Sequence, residues 1–351
     1  MADSSTREMR DSVSPPSVPE PPSPWKRRGA TLFSLAVSAT LLAALYRSVD
    51  LRLIVGELRD VDATWLVLSV SLIVPITVLR AIRFFLVVPR GTLPSVAEAL
   101  RLTLVASAAN VFMPAKSGDL VKSYFVAKER GTSAGISVAV VVYERLCDLF
   151  GLITWCAVGW LVSRPVAAVV PSAFWILLAV LGGVCAVLIA SQTVARMLGD
   201  VCSSLLGARL ARIRALVEGW PGLLERLGGR RAGVIFLSLL LWLVHVIQIW
   251  LFTVALSARI PFAVSASLSA VALMIGQLPF TFAGLGARDM ALVVLMRAYV
   301  RPESAAALGL LISTRNLLPP LAALPIMRPY VAALAGEVGL GTRRSPAAGE
   351  A

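Results

Sequence analysis

Histidine, cysteine and charge are all scarce in this chain of 351 residues. A single histidine, His245, leaves almost no basis for a histidine-built metal site, and neither a metal nor a cofactor is expected. Four cysteines, Cys147, Cys156, Cys185 and Cys202, form no CxxC pair and are too few for a disulfide framework. The first three fall in apolar segments, where cysteine serves as a small apolar filler. Charged residues make up only 15% of the chain, which leaves no room for a large soluble domain. A Ser/His/Asp order, HExxH and GxxxxGK[ST] are all missing, and Gly284-Leu285-Gly286 is too short for a dinucleotide fingerprint, so no catalytic residue is assigned. The amino terminus also lacks the short basic region and small-residue cleavage site of a signal peptide.

What is plentiful is apolar surface. Hydrophobic residues are 58% of the chain and the mean hydropathy is +0.82, the composition of an integral membrane protein. Lysine and arginine exceed the acids by 13 charges, and these lie between apolar runs rather than in one basic module. That distribution excludes nucleic acid as the expected partner and points to cytoplasmic loops facing anionic headgroups.

Residues 1–28, with Pro15, Pro16, Pro19, Pro21, Pro22 and Pro24, have the composition of a disordered tail. Lys26-Arg27-Arg28 stands directly before the apolar run Gly29–Tyr46 and sets the amino terminus in the cytoplasm. The mixed-charge stretch Arg47–Asp62 then belongs outside as a connection. Further spans are expected at about Trp65–Val88, Ser133–Val162, Ala167–Ala190, Ala232–Leu256 and Ala305–Ile326. The membrane domain is thus read as 29–335, followed by a cytoplasmic tail, 336–351.

Two apolar segments are interrupted. Leu100–Met113 meets Pro114 and Gly118, with Lys116, Asp119, Lys122 and Lys128 crowding in afterwards; Val264–Leu278 meets Pro279 and then Gly284-Leu285-Gly286-Ala287-Arg288-Asp289. Irregular backbone at membrane depth survives only against protein or a watery cavity, so each reads as a re-entrant helical hairpin. Charge supports this. Residues 191–231 hold Arg196, Arg209, Arg212, Arg214, Arg226, Arg230 and Arg231, and this loop is cytoplasmic only if the first broken segment returns to its own side. The expected fold is an all-α polytopic membrane protein of about six full spans and two re-entrant hairpins, with eight simple spans as the alternative.

The order span, span, broken hairpin, span occurs twice, over about 29–162 and 167–327. Pro114 and Pro279 stand 165 positions apart, as do Arg80 and His245, and Arg83 and Gln248; Arg145 and Arg315 stand 170 apart. One set starts inside and the other outside, the pattern of an inverted repeat, in which substrate sites form at the midplane between broken helices.

Ionisable groups within apolar segments are costly unless paired or hydrated, so Arg80, Arg83, Glu144, Arg145, Asp148, Arg288, Asp289 and Arg315 are candidates for use. Arginine's planar fork suits phosphate, and half-helix N-termini attract anions. Lys116, Arg145, Arg288 and Arg315 are therefore expected to hold a phosphate headgroup, with Gly118, Gly284 and Gly286 letting backbone approach it. Asp119 and Lys122 are counted among the headgroup-binding residues, Pro114 and Pro279 set the breaks, and Asn110 lies at the first tip. Plainer readings stand beside these: Arg145 paired with Glu144 or Asp148, Arg80, Arg83 and Arg90 snorkelling to the surface, the lysines forming a cytoplasmic skirt, and Asp119 capping the returning helix or balancing a lysine. His245 reads as a hydrogen-bonded structural residue.

The motifs N-x-F-x-P-A-K-x-G-D at Asn110–Asp119, Tyr143-Glu144-Arg145 with Asp148, and Gly284–Asp289 resemble the transmembrane region of lysylphosphatidylglycerol synthases. The resemblance spans about Arg28–Tyr330, with Asp289 where that pattern leads one to expect a Glu. In the two-part enzymes of that family, the membrane region is linked to moving aminoacylated phosphatidylglycerol across the bilayer, and a separate soluble domain makes it from aminoacyl-tRNA. The resemblance thus implies a lipid translocator of the cell inner membrane, carrying an anionic or polyprenyl-linked lipid, without synthase activity. Both termini are expected in the cytoplasm. Two alternatives remain: a membrane-embedded polyprenyl-phosphate-sugar transferase using Glu144, Asp148 or Asp289 as base, and a membrane component that supports a partner enzyme docked by the Pro-rich tail. A homo-oligomer is compatible with all three.

Overall fold

The computed structural model describes residues 24–112, 118–130, 132–163, 171–194, 211–277 and 284–333, together with 196, 197, 200 and 281. Most of the two expected tails lies outside the described residues, as do Pro114, Lys116, Pro279 and Cys202.

Every regular element among the described residues is helical: α1 (Pro24–Ser48), α2 (Leu51–Arg59), α3 (Ala63–Ser71), α4 (Ile73–Val87), α5 (Val96–Phe112), α6 (Leu120–Arg130), α7 (Ala134–Val162), α8 (Ser172–Ala190), α9 (Ala211–Leu227), α10 (Arg230–Ala255), α11 (Phe262–Ile275), α12 (Ala287–Met296) and α13 (Pro302–Ala323). Among the described residues, four stretches are long and apolar enough to cross a bilayer: Ala63–Val87, Ser172–Ala190, Arg230–Ala255 and Pro302–Ile326. The bent pair α1–α2 adds a fifth if counted as one. Helix α7, at 29 residues, is about 44 Å long at 1.5 Å per residue, enough to cross despite its three charges. The chain is an all-α polytopic membrane protein.

Arg47–Asp62 is more than a connection. Asp50 accepts from the Arg52 amide at 2.8 Å and starts α2, which turns by 86° from α1 and buries Ile54. Asp62 accepts from the amides of Thr64 and Trp65, satisfying first-turn donors that α3 would otherwise leave open. The arginine-rich stretch 191–231 likewise contains α9, whose Trp220, Leu223, Leu224 and Leu227 are buried against the start of α7. Trp220 Nε1 donates to the Leu188 carbonyl at 3.3 Å, and Arg231 donates to that of Ala190 at 2.6 Å. The helix's apolar face, not its arginines, decided this placement.

Both broken segments double back. Gly118 lies so close to the end of α5 that a Cβ there would collide with the backbone of Ala109 and Asn110. At the other end of this hairpin, Tyr330 donates to Glu98 Oε1 at 2.7 Å and meets the Phe125 ring edge-on at 5.3 Å, so the start of α5 and the body of α6 share one end of the molecule. In the second hairpin, Gly284 takes φ +79°, and a Cβ there would strike the Gly276 carbonyl. Only glycine suits such a backbone approach. Helices α11 and α12, with 14 and 10 residues, extend about 21 and 15 Å, short of a hydrocarbon core about 30 Å thick.

The cores sort the ends of the molecule. One gathers Phe84, Phe125, Ile136, Tyr143, Ile189 and Trp220. The other gathers Leu45, Ile54, Phe252, Ile260, Val264 and Met296, and near it Arg301 pairs with Glu57. The first hairpin opens at the first end and the second at the other, so their tips meet midway.

Candidate functional site

Between the two tips lies a cavity of about 340 Å³. Hairpin one contributes Asn110, Asp119 and Lys122, and hairpin two contributes Gly276, Gly284 and Arg288. The walls are α4 with Arg80 and Arg83, α7 with Glu144, Arg145 and Asp148, α10 with Trp242, His245 and Gln248, and α13 with Ser313 and Arg315.

On the α4–α7 side the charges are cross-linked. Arg83 donates to Asp148 Oδ1 at 2.7 Å and stands 3.7 Å from Glu144. Trp242 Nε1 donates to the same Asp148 oxygen at 3.2 Å. Lys122 donates to Glu144 Oε2 at 3.1 Å, with its ammonium 4.8 Å from the centre of the Phe84 ring. Arg145 pairs with Asp119 and stands 3.8 Å from Asp148; Asn110 Nδ2 also donates to Asp119 at 3.2 Å. Arg83, Glu144 and Asp148 are all at most 5% exposed, so each depends on its partners for the solvation that water no longer provides.

On the other side, Arg288 is satisfied locally. It donates to Asp289 Oδ1 at 2.6 and 2.9 Å, to the Gly309 carbonyl at 3.2 Å and to Ser313 Oγ at 2.6 Å, while the Gly286 amide donates to Asp289 Oδ2 at 3.1 Å. Arg315 differs. It is 5% exposed, donates to Gln248 Oε1 and stands 3.2 Å from His245 Nδ1, with no carboxylate within ion-pair distance among the described residues. Its Nε is buried without an acceptor. Gln248 is held by its own bond to the Ser69 carbonyl at 2.7 Å, and the His245 ring lies against Trp242 at a tilt of 35°, with centroids 4.9 Å apart.

The described candidates therefore converge on one cavity, except that Asp289 acts through Arg288, Gly286 packs against α1 and Gly118 packs against the backbone of α5 rather than lining the cavity. Lys116, Pro114 and Pro279 fall outside the described residues. Some plainer readings fail: Arg83 is buried and paired rather than snorkelling, and Lys122 faces inward rather than forming a skirt. Arg145 does balance charge, but with Asp119 and Asp148, not with Glu144. Arg90 is exposed, and Arg80 lines the cavity with no ion pair among the described residues. The sequence pointed less clearly to Trp242, His245, Gln248 and Ser313. The first three lie on one face of α10, and the 165-position offset from Arg80 and Arg83 was the signal for His245 and Gln248.

No curated protein matches the chain. The family model described as the lysylphosphatidylglycerol synthase transmembrane region matches residues 31–323, a range that holds both hairpins and every residue of the cavity, and the chain belongs to that family.

Proposed function

We propose that the protein moves a phosphate-bearing lipid headgroup between the leaflets of the cell inner membrane, the headgroup passing through the cavity while the chains stay in the bilayer. The observation that carries this reading is Arg315: a buried guanidinium facing a cavity, with only neutral partners among the described residues. A buried cation without a carboxylate is costly, and a bound anion would relieve that cost. Both returning helices, α6 and α12, begin beside the cavity, where their positive dipole ends add to the attraction.

The same geometry supports an inverted repeat. Arg83 of α4 meets Asp148 of α7, and Gln248, its partner by offset in α10, meets Arg315 of α13. Translocation would proceed by alternate opening of the hairpins. The Asp119–Arg145 pair ties one tip to α7, and the Arg288 bonds to Gly309 and Ser313 tie the other to α13. Orientation follows the positive charge, with both termini cytoplasmic. A transferase has less support, because Glu144, Asp148 and Asp289, its possible bases, are each engaged by a cation.

The test is scrambling in proteoliposomes with fluorescent phosphatidylglycerol and a polyprenyl-phosphate analogue. Wild type should accelerate at least one of them, and Arg315→Ala should slow it about tenfold or more. If correctly folded wild-type protein moves no lipid faster than empty liposomes do, the proposal fails.

A further inference from the structure

Among the described residues, charge at the cavity does not balance. Arg80, Arg83, Lys122, Arg145, Arg288 and Arg315 line it, whereas the carboxylates are Asp119, Glu144 and Asp148 in the lining and Asp289 against Arg288. Six cations against four anions leave two positive charges, and the two side chains without an ion pair among the described residues are Arg80 and Arg315. Two guanidinium donors, Arg83 Nε and Arg315 Nε, are also buried with no acceptor. Both arginines are at least nine-tenths buried and face the cavity.

We infer that the cavity selects a terminal phosphate monoester over phosphodiester and zwitterionic headgroups. The inference rests on the translocation reading of this same site. A phosphate monoester carries about −1.5 to −2 charges at neutral pH and presents three acceptor oxygens. It neutralises both surplus charges and offers enough oxygens for the two free donors as well as Arg80. A phosphodiester has one charge and two free oxygens, so it leaves one buried cation uncompensated. A zwitterionic headgroup leaves the charge sum unchanged and adds an ammonium beside arginines. A cavity of about 340 Å³ admits phosphate and larger phosphodiester headgroups alike, so charge rather than size makes the choice.

The experiment compares fluorescent phosphatidic acid, phosphatidylglycerol and phosphatidylcholine in the same proteoliposomes, with uptake of radiolabelled inorganic phosphate measured in parallel. Wild type should move phosphatidic acid about tenfold faster than phosphatidylglycerol and take up no phosphate. Arg80→Gln should bring that ratio close to one, and Arg80→Lys should keep it, because the charge rather than the fork sets the preference. Arg80 makes no ion pair among the described residues, so the substitution breaks none of the pairs that join the helices. Phosphatidylglycerol or phosphatidylcholine moving as fast as phosphatidic acid, or Arg80→Lys behaving like Arg80→Gln, overturns monoester selection and leaves translocation standing. Uptake of inorganic phosphate with no lipid movement overturns translocation and keeps the monoester site. Movement of neither overturns both.

Discussion

Arg83 donates to Asp148 across 2.7 Å, joining α4 to α7 through two groups that are almost wholly removed from water. Breaking such a pair by removing one partner strands the other, at a cost of about 3–5 kcal/mol. Asp148→Asn should therefore lower the thermal midpoint in detergent sharply, read by loss of the monodisperse peak after heating. Arg83→Met combined with Asp148→Leu should recover most of the loss. A single mutant as stable as wild type would mean that the pair does not join these helices.

The hairpin tips should be intolerant of any side chain at two glycines. Gly118→Ala places a methyl against the Ala109–Asn110 backbone, and Gly284→Ala combines φ +79° with a collision at the Gly276 carbonyl. The strained backbone alone costs about 1–3 kcal/mol, and the collisions add to it. Gly183→Ala on α8, where nothing lies within 4 Å, should be stabilising by about 0.5–1 kcal/mol. Yield and thermal midpoint of the three variants provide the check.

Helix α9 should resist detachment. Leu223 and Leu224 are fully buried against the α7 end, so Leu223→Ala or Leu224→Ala should cost about 2–5 kcal/mol. Limited trypsin digestion should then cut within 191–231 at several times the wild-type rate. Equal rates would place α9 free of the spans.

Sidedness follows from the topology. In a background without the four native cysteines, Asp60→Cys and Glu225→Cys, both exposed, should label from opposite sides with a membrane-impermeant maleimide. Glu225→Cys should react from the cytoplasmic face. Labelling of both from one side would contradict a re-entrant first hairpin, because a full crossing there moves the arginine-rich loop outside.

The broken hairpins were readable because their causes are local. A proline and a glycine interrupt an apolar run and charges follow within a few residues, whatever the rest of the chain does. The positions of α2 and α9 are not legible in the sequence, since short amphipathic helices amid charge look like connections until a core accepts Ile54 or Trp220. Charge pairing was the least accessible feature. Arg145 stands beside Glu144 in sequence, yet pairs with Asp119, while Lys122 takes Glu144.

By itself, then, the sequence determined that the chain is helical and membrane-embedded, where it breaks, and which ionisable residues lie within or beside its apolar segments. These are properties of hydropathy, length and backbone freedom along a segment, and the bilayer judges each segment on those terms. Only the tertiary structure decided which cations are left without a carboxylate. Arg83 meets Asp148 across 65 positions and Arg315 meets Gln248 across 67, distances at which helix packing, not chain proximity, chooses the partner. Arg315 is left with neutral partners among the described residues because Asp148, Glu144, Asp119 and Asp289 pair with Arg83, Lys122, Arg145 and Arg288.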